Sequence, residues 1–202
     1  MKYSIHAALC IFVVLGTARA DNGSWALDQS HSNVSFSVQH MVISEVTGRF
    51  KDYTVSLAST KNDFSDAAIN AAIAVNSIDT QNDRRDSHLK SDDFFNAEKF
   101  PSIRFQSTSF VKTGDNRYAI NGRLTIRDTT KEVSIDAVLN GMISSKNSER
   151  AGWKATLAID RFDYGLKWNA AIESGGLVAG AMVTITLNLE FVKQREIHQA
   201  TP

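Results

Sequence analysis

The chain has 202 residues, 43% hydrophobic and 22% charged, with 22 Lys+Arg balanced by 22 Asp+Glu. A neutral chain with no basic run lacks the clustered Lys/Arg that release counterions from nucleic acid, and eleven Phe beside two Pro argue against disorder. The single cysteine, Cys10, excludes a disulfide framework and a Cys-based zinc site.

Residues 1–20 carry Lys2, an unbroken apolar run at 7–15 and an Ala18-Arg19-Ala20 pattern. This is the layout of a cleavable secretory signal peptide. The run is about half of the roughly 20 apolar residues that a membrane-spanning helix needs, and Cys10 lies inside it instead of at a lipoprotein cleavage site. We expect cleavage after Ala20 and export to the periplasm. The mature chain is then one slightly acidic, cysteine-free domain at 21–202 with no integral membrane span.

After the leader, period two dominates, which is the signature of half-buried strands. A strand is predicted at 25–28. It is followed by Val34-Ser35-Phe36-Ser37-Val38, where apolar residues take every second place, and by strands at 47–57 and 67–77. Residues 80–100, TQNDRRDSHLKSDDFFNAEKF, lose the alternation and are dense in charge. Positions 83–90 suit two helical turns, and Ser91-Asp92-Asp93 resembles an N-cap before a second short turn. Pro101 opens the next strand, at 102–111.

Tyr118, Ile120, Gly122, Leu124 and Ile126 then share one strand face, as do Val133, Ile135, Ala137 and Leu139. Trp153, Ala155, Leu157 and Ile159 follow, and the longest strand carries Val183, Ile185, Leu187, Leu189 and Phe191 on one side. Turn signals fall at Gly114-Asp115-Asn116, at Arg127-Asp128-Thr129-Thr130 and across 144–152. Residues 193–202 read as a polar tail. Eight or nine strands with one covered face predict an all-β fold, an eight-stranded antiparallel barrel closed on itself, with a helical excursion over one end. Such a barrel is just wide enough for side chains or one slender ligand.

Chemistry-bearing motifs are sparse. His31, His40, His88 and His198 show no metal-ligand spacing, and neither a nucleophile elbow nor a phosphate loop is present, so catalysis, a metal and a cofactor are all unsupported. The charged excursion, with Arg84, Arg85, Asp86, His88, Lys90, Asp92 and Asp93, reads as a solvated helix face or as a rim whose inward groups hold a polar head. Arg85 leads that second reading, because a guanidinium fork meets phosphate or carboxylate through two parallel bonds. His40 continues the apolar face of Phe36 and Val38, as a core residue or as a partner for a ligand's polar end. Phe94, Phe95 and Phe100 read as a lid, and its aromatic area would serve a dry core or a lipid tail equally.

Read in series, several segments carry a resemblance. They are Trp25-Ala26-Leu27-Asp28 with the stretch from His31 to His40, Val46-Thr47-Gly48-Arg49-Phe50, Ser77-Ile78-Asp79-Thr80, the stretch from Arg85 to Phe95, Phe100-Pro101-Ser102-Ile103-Arg104-Phe105, Leu124-Thr125-Ile126-Arg127 and Arg161-Phe162-Asp163-Tyr164-Gly165. Together they resemble the YceI family over nearly all of residues 24–192. The resemblance implies a lipocalin-like barrel, usually exported, that encloses a polyisoprenoid or similar long-tailed amphiphile and is a carrier or store, not an enzyme. The segment Gly165-Leu166-Lys167-Trp168-Asn169 departs from the family pattern and is expected to form a rim loop.

On this reading Phe36, Val38, Phe50, Phe105, Leu124 and Trp153 line the tail site, Phe94 covers it, and Arg85, Asp86, His88 and His40 face the head group. Two other readings stay open. One is an enzyme acting on a lipid or quinone, with His40 or His88 as acid–base near Asp86. The other is a filled barrel that binds a partner by its outer surface. Homodimerisation is also left open.

Overall fold

The computed structural model describes residues 23–146, 148–171 and 177–194. The expected leader at 1–20 and most of the polar tail lie outside the described residues. Eleven strands and one helix follow in chain order: β1 (Ser24–Leu27), β2 (Asn33–His40), β3 (Ser44–Phe50), β4 (Tyr53–Ala58), β5 (Ala68–Ala74), β6 (Ile78–Asp79), α1 (Asp83–Lys90), β7 (Ser102–Gly114), β8 (Arg117–Ile126), β9 (Thr129–Ser144), β10 (Glu149–Asp160) and β11 (Ala179–Lys193). No helix among the described residues is long and apolar enough to cross a membrane.

Every strand pairing is antiparallel, and the eleven strands make eight staves. β1 and β2 are one stave interrupted by a 3₁₀ turn at Gln29–His31, and β3 and β4 are one stave bent at Lys51-Asp52. β5 runs into β6 through a second turn, at Val75–Ser77. β11 meets β2 along one stretch and β1 along the next, which closes the ring. The strand expected at 47–57 is therefore divided, and the one expected at 67–77 ends at Ala74, its last three residues forming the turn. The interruptions bend the staves without breaking the contact between them: Lys51 N–H donates to Ser77 O at 3.1 Å and Ala74 N–H to Asp52 O at 2.9 Å.

Alternation sorts residues as the sequence predicts. On β4, Tyr53, Val55 and Leu57 are buried and Thr54, Ser56 and Ala58 exposed. On β10 the buried set is Ala151, Trp153, Ala155, Leu157 and Ile159. Two local expectations are corrected. The turn expected across 144–152 is shorter, because Glu149 already pairs with Ser144 and a Lys193–Glu149 ion pair at 3.2 Å holds this end of β10. Ser91 does not cap the second short turn with its side chain, since its hydroxyl donates to His88 O at 2.8 Å and closes α1; the turn itself forms, with Phe94 N–H donating to Ser91 O at 3.2 Å. The N-cap of α1 is Asn82, whose side chain accepts from Arg85 N–H at 2.9 Å.

The two barrel ends differ. At one, Phe64 drops from the β4–β5 loop into a cluster with Trp25 (ring centroids 5.4 Å apart) and Trp153 (5.0 Å), while Phe110 and Tyr118 pack on Trp153 at 5.7 and 5.1 Å. That loop is tied down where Tyr118 Oη donates to Asp63 O at 3.0 Å and Asp66 accepts from the Ser59 hydroxyl at 2.6 Å. The opposite end carries α1, the hairpin between β2 and β3, and the loop after β10.

Candidate functional site

Between the aromatic plug and α1 the barrel is hollow. A wholly apolar space of about 120 Å³ is lined by Phe105, Leu124, Trp153 and Leu187 among others. A larger cavity of about 980 Å³ opens at the α1 end, and both share Phe36, Phe50, Ile103, Ile126 and Ile185. From Ile126 down β8 to Ile120 the lining spans roughly 20 Å at strand rise. The cavity is blind, because Phe64, fully buried, seals the far end.

The mouth is polar on one side. Thr80 and Asn82 line it from the link between β6 and α1, Arg84, Arg85 and His88 from α1, and Gln39 and His40 from the end of β2. Among the described residues, no carboxylate lines either space. Arg85 is anchored by two bonds, from Nε to Thr80 Oγ1 and from Nη2 to Thr80 O, each 2.8 Å. A guanidinium has five N–H donors, so its remaining N–H groups are left for another acceptor. His40 Nδ1 lies 2.9 Å from Val178 O. Because a carbonyl oxygen only accepts, Nδ1 is the donor in this bond.

Sequence reasoning placed Phe36, Val38, His40, Phe50, Arg85, His88, Phe94, Phe105, Leu124 and Trp153 at the ligand site, and each lines one of the two spaces. Asp86 does not. It is buried (8% exposed) beneath the rim, where Oδ1 accepts from Thr80 N–H at 2.9 Å and Thr80 Oγ1–H at 2.5 Å. Nor do His88 and Asp86 form an acid–base pair: the carboxylate that His88 Nε2 meets is Asp93, at 3.0 Å. On a helix of 3.6 residues per turn, positions 86 and 88 point to different sides.

Arg161 and Trp168 also line the cavity without having been singled out as ligand contacts, and Phe95, expected in the lid, lines it too. Arg161 (3% exposed) is a structural hub: Nε donates to Gly180 O (2.8 Å), Nη1 to Leu166 O (2.6 Å) and Trp168 O (2.8 Å), and Nη2 to Ala179 O (2.9 Å). Burial lowers its pKa from the ordinary arginine value. Trp168 packs on His88 at 5.0 Å and on Phe94 at 5.4 Å, joining the rim loop to α1. Phe95 meets Phe50 edge-on at 6.3 Å. Phe100, expected in the same lid, instead lies beside the cations of Lys99 and Arg127, at 5.1 and 5.4 Å.

Asp28, His31 and Glu190 bring potential metal-ligand atoms within 4.8 Å of one another outside the barrel mouth. A cation already sits there: Arg150 Nη1 donates to Asp28 Oδ2 at 2.9 Å and also to Glu190 Oε1. The cluster ties the β1–β2 break to β10 and β11.

Comparison with known proteins agrees with this architecture. Residues 25–191 match the YceI-like domain family. A UPF0312 protein of Staphylococcus aureus is 36% identical over 172 residues, spanning 83% of this chain and 96% of the relative. The crystal structure of Burkholderia cenocepacia BcnA superposes with a TM-score of 0.70 at 20% identity, over 81% of this chain and 98% of that one. The Campylobacter jejuni YCEI protein gives 0.67 at 27% identity, over 78% and 90%. A polyisoprenoid binding domain from Saccharophagus degradans gives 0.62 at 17%, over 84% and 98%.

Proposed function

The chain belongs to the YceI-like family, and from that premise we propose that it is an exported carrier or store for a polyisoprenoid or similar long-tailed amphiphile, held tail-down in the barrel. The observation that carries this reading is the blind cavity: apolar throughout at its plugged end and lined at its open end by Arg84, Arg85, His88 and His40, with no carboxylate among the described lining residues. A hydrocarbon tail gains about 0.8 kcal/mol for each CH₂ withdrawn from water, which favours a narrow apolar tube. A head group rich in acceptors, such as a phosphate, a carboxylate or a quinone, meets donors at the mouth. The named ligand of the Saccharophagus degradans domain supports the isoprenoid class for this chain.

Binding of this kind needs no covalent step, and the acid–base pair expected between His88 and Asp86 is not formed, since His88 meets Asp93 and Asp86 meets Thr80. The leader at 1–20 supports export to the periplasm, with cleavage after Ala20.

Native mass spectrometry of the protein recovered from the periplasm, followed by lipid extraction, tests the reading. The expected result is a mature chain beginning at Asp21 with one bound amphiphile bearing an isoprenoid tail. A protein that emerges empty, and stays empty when offered lipids in detergent, would overturn it.

A further inference from the structure

The connection between β2 and β3 is Met41-Val42-Ile43, exposed by 39%, 56% and 86% respectively. Met41 and Val42 both sit in the left-handed region, at φ 49° and 66°. Asn and Gly are the usual occupants of such positions, and a β-branched residue there is strained. Polar residues would relax the backbone and suit an exposed turn, so folding alone does not explain three apolar ones. Strain kept at an exposed site motivates a search for a role.

The turn stands at the mouth. Gln39, His40 and Val46 on its two strands line the cavity, as do Val178 and Ala179 beside it. It is also held firmly: Ile43 N–H donates to His40 O at 3.2 Å, Met41 N–H to Val178 O at 3.1 Å and Gln39 Nε2 to Val42 O at 3.2 Å. Three of its backbone groups are thus satisfied within the protein, which matters wherever water is scarce. Met182, 54% exposed, belongs to the same end, in the irregular stretch of β11 between the partners of His40 and Val38. The other large exposed apolar residues among those described, Val111 and Ile143, stand singly toward the plugged end.

We propose that the Met41-Val42-Ile43 turn docks the open end of the barrel on a lipid bilayer. The choice of a bilayer rests on the reading of the cavity as a lipid site. It also rests on area: three side chains fall well short of the about 800 Å² per partner that a stable protein interface buries, whereas a bilayer accepts a small apolar tip with no matching shape. Docked in this way, the mouth faces the surface from which a long-tailed amphiphile leaves.

Flotation with phosphatidylcholine vesicles, and with equimolar phosphatidylcholine–phosphatidylglycerol vesicles, compares the protein with a Met41→Asn, Val42→Gly, Ile43→Ser variant. The protein is expected to float with both kinds of vesicle and to keep floating in high salt, because the attachment is apolar. The variant should partition about tenfold more weakly or worse. It should melt no lower, since its turn residues suit the backbone, and should fill equally from detergent micelles. A protein that does not float, or a variant that floats as well, overturns the docking. Sedimentation showing a turn-dependent dimer with no flotation overturns it in favour of a second copy. Turn-dependent flotation with an empty cavity keeps the docking and overturns the lipid-carrier reading instead.

Discussion

Asp86 holds Thr80 by both of its donors: Oδ1 accepts the backbone N–H at 2.9 Å and the hydroxyl at 2.5 Å. Thr80 in turn accepts from Arg85 through Oγ1 and through its carbonyl, at 2.8 Å each. The three residues form a relay from a buried acid to a cation at the cavity mouth, so Asp86 positions Arg85 without touching the cavity itself.

Replacing Asp86 by Ala should therefore do two things. It strands the Thr80 N–H in a buried site, at a cost of about 1–3 kcal/mol, and it frees the Arg85 guanidinium to wander. Urea denaturation should show the stability loss. Retention of an anionic single-tailed amphiphile should fall further than retention of its neutral counterpart. Asp86→Asn keeps an acceptor and should lie between. An Asp86→Ala protein that holds the anionic amphiphile as well as the parent would sink the relay.

The cavity has a second control point at Gly48. Phe36 and Gly48 face each other across β2 and β3, and a Cβ on Gly48 would lie 2.4 Å from Phe36 Cζ and 2.8 Å from Thr80 Cγ2. The colliding atom is the tip of a ring that lines the cavity. In Gly48→Ala the ring must swing aside into that space, at an overpacking cost of about 1–3 kcal/mol. Competition between tails of increasing length checks this: the variant should prefer shorter tails than the parent, and an unchanged preference would count against the ring as a limit on capacity.

How much of this was legible beforehand divides by physical cause. Alternation is a local signal, so the faces of β8, β10 and β11 and the lining residues Phe36, Leu124 and Trp153 could be read directly. Helix α1 was readable because the alternation gives way to a charged run, although its capping Asn82 emerged only in the structure. The stave breaks at Lys51-Asp52 and Val75–Ser77 were not, because each is a response to closing the ring. Phe64 sits alone in a polar loop, and only the fold brings it against Trp25 and Trp153. Arg161 follows an alternating strand and meets four carbonyls from later in the chain. Asp86 was picked out as a head-group contact; tertiary packing turned it inward toward Thr80.

Trp168 clasps the mouth by packing on His88 and Phe94. Each such aromatic contact is worth about 0.5–1.5 kcal/mol, and both are lost in Trp168→Ala. Because the rim loop is also tied to the barrel by Arg161 and Arg127, the fold should survive with a small drop in melting temperature. The expected signature is kinetic: bound lipid should pass to acceptor vesicles several-fold faster. Transfer at the parent rate would mean that Trp168 does not gate the mouth.

Acid should weaken the fold in a defined window. Asp28 accepts from the Ser30 hydroxyl, then from Arg150 and His31, and these hold its carboxyl far below the ordinary range; the hydroxyls of Ser59 and Thr60 do the same for Asp66. A carboxylate whose pKa is lower in the folded than in the unfolded chain adds stability above the unfolded value, near 4, and loses it as pH falls toward the folded value. These two groups should leave the melting temperature level from neutral pH down to about 4 and lower it steadily below that. Asp28→Asn with Asp66→Asn should melt lower than the parent at neutral pH and decline less on acidification, so that the two curves converge. Calorimetry across that range decides it, and a double variant that declines as steeply as the parent would show that other groups control acid stability.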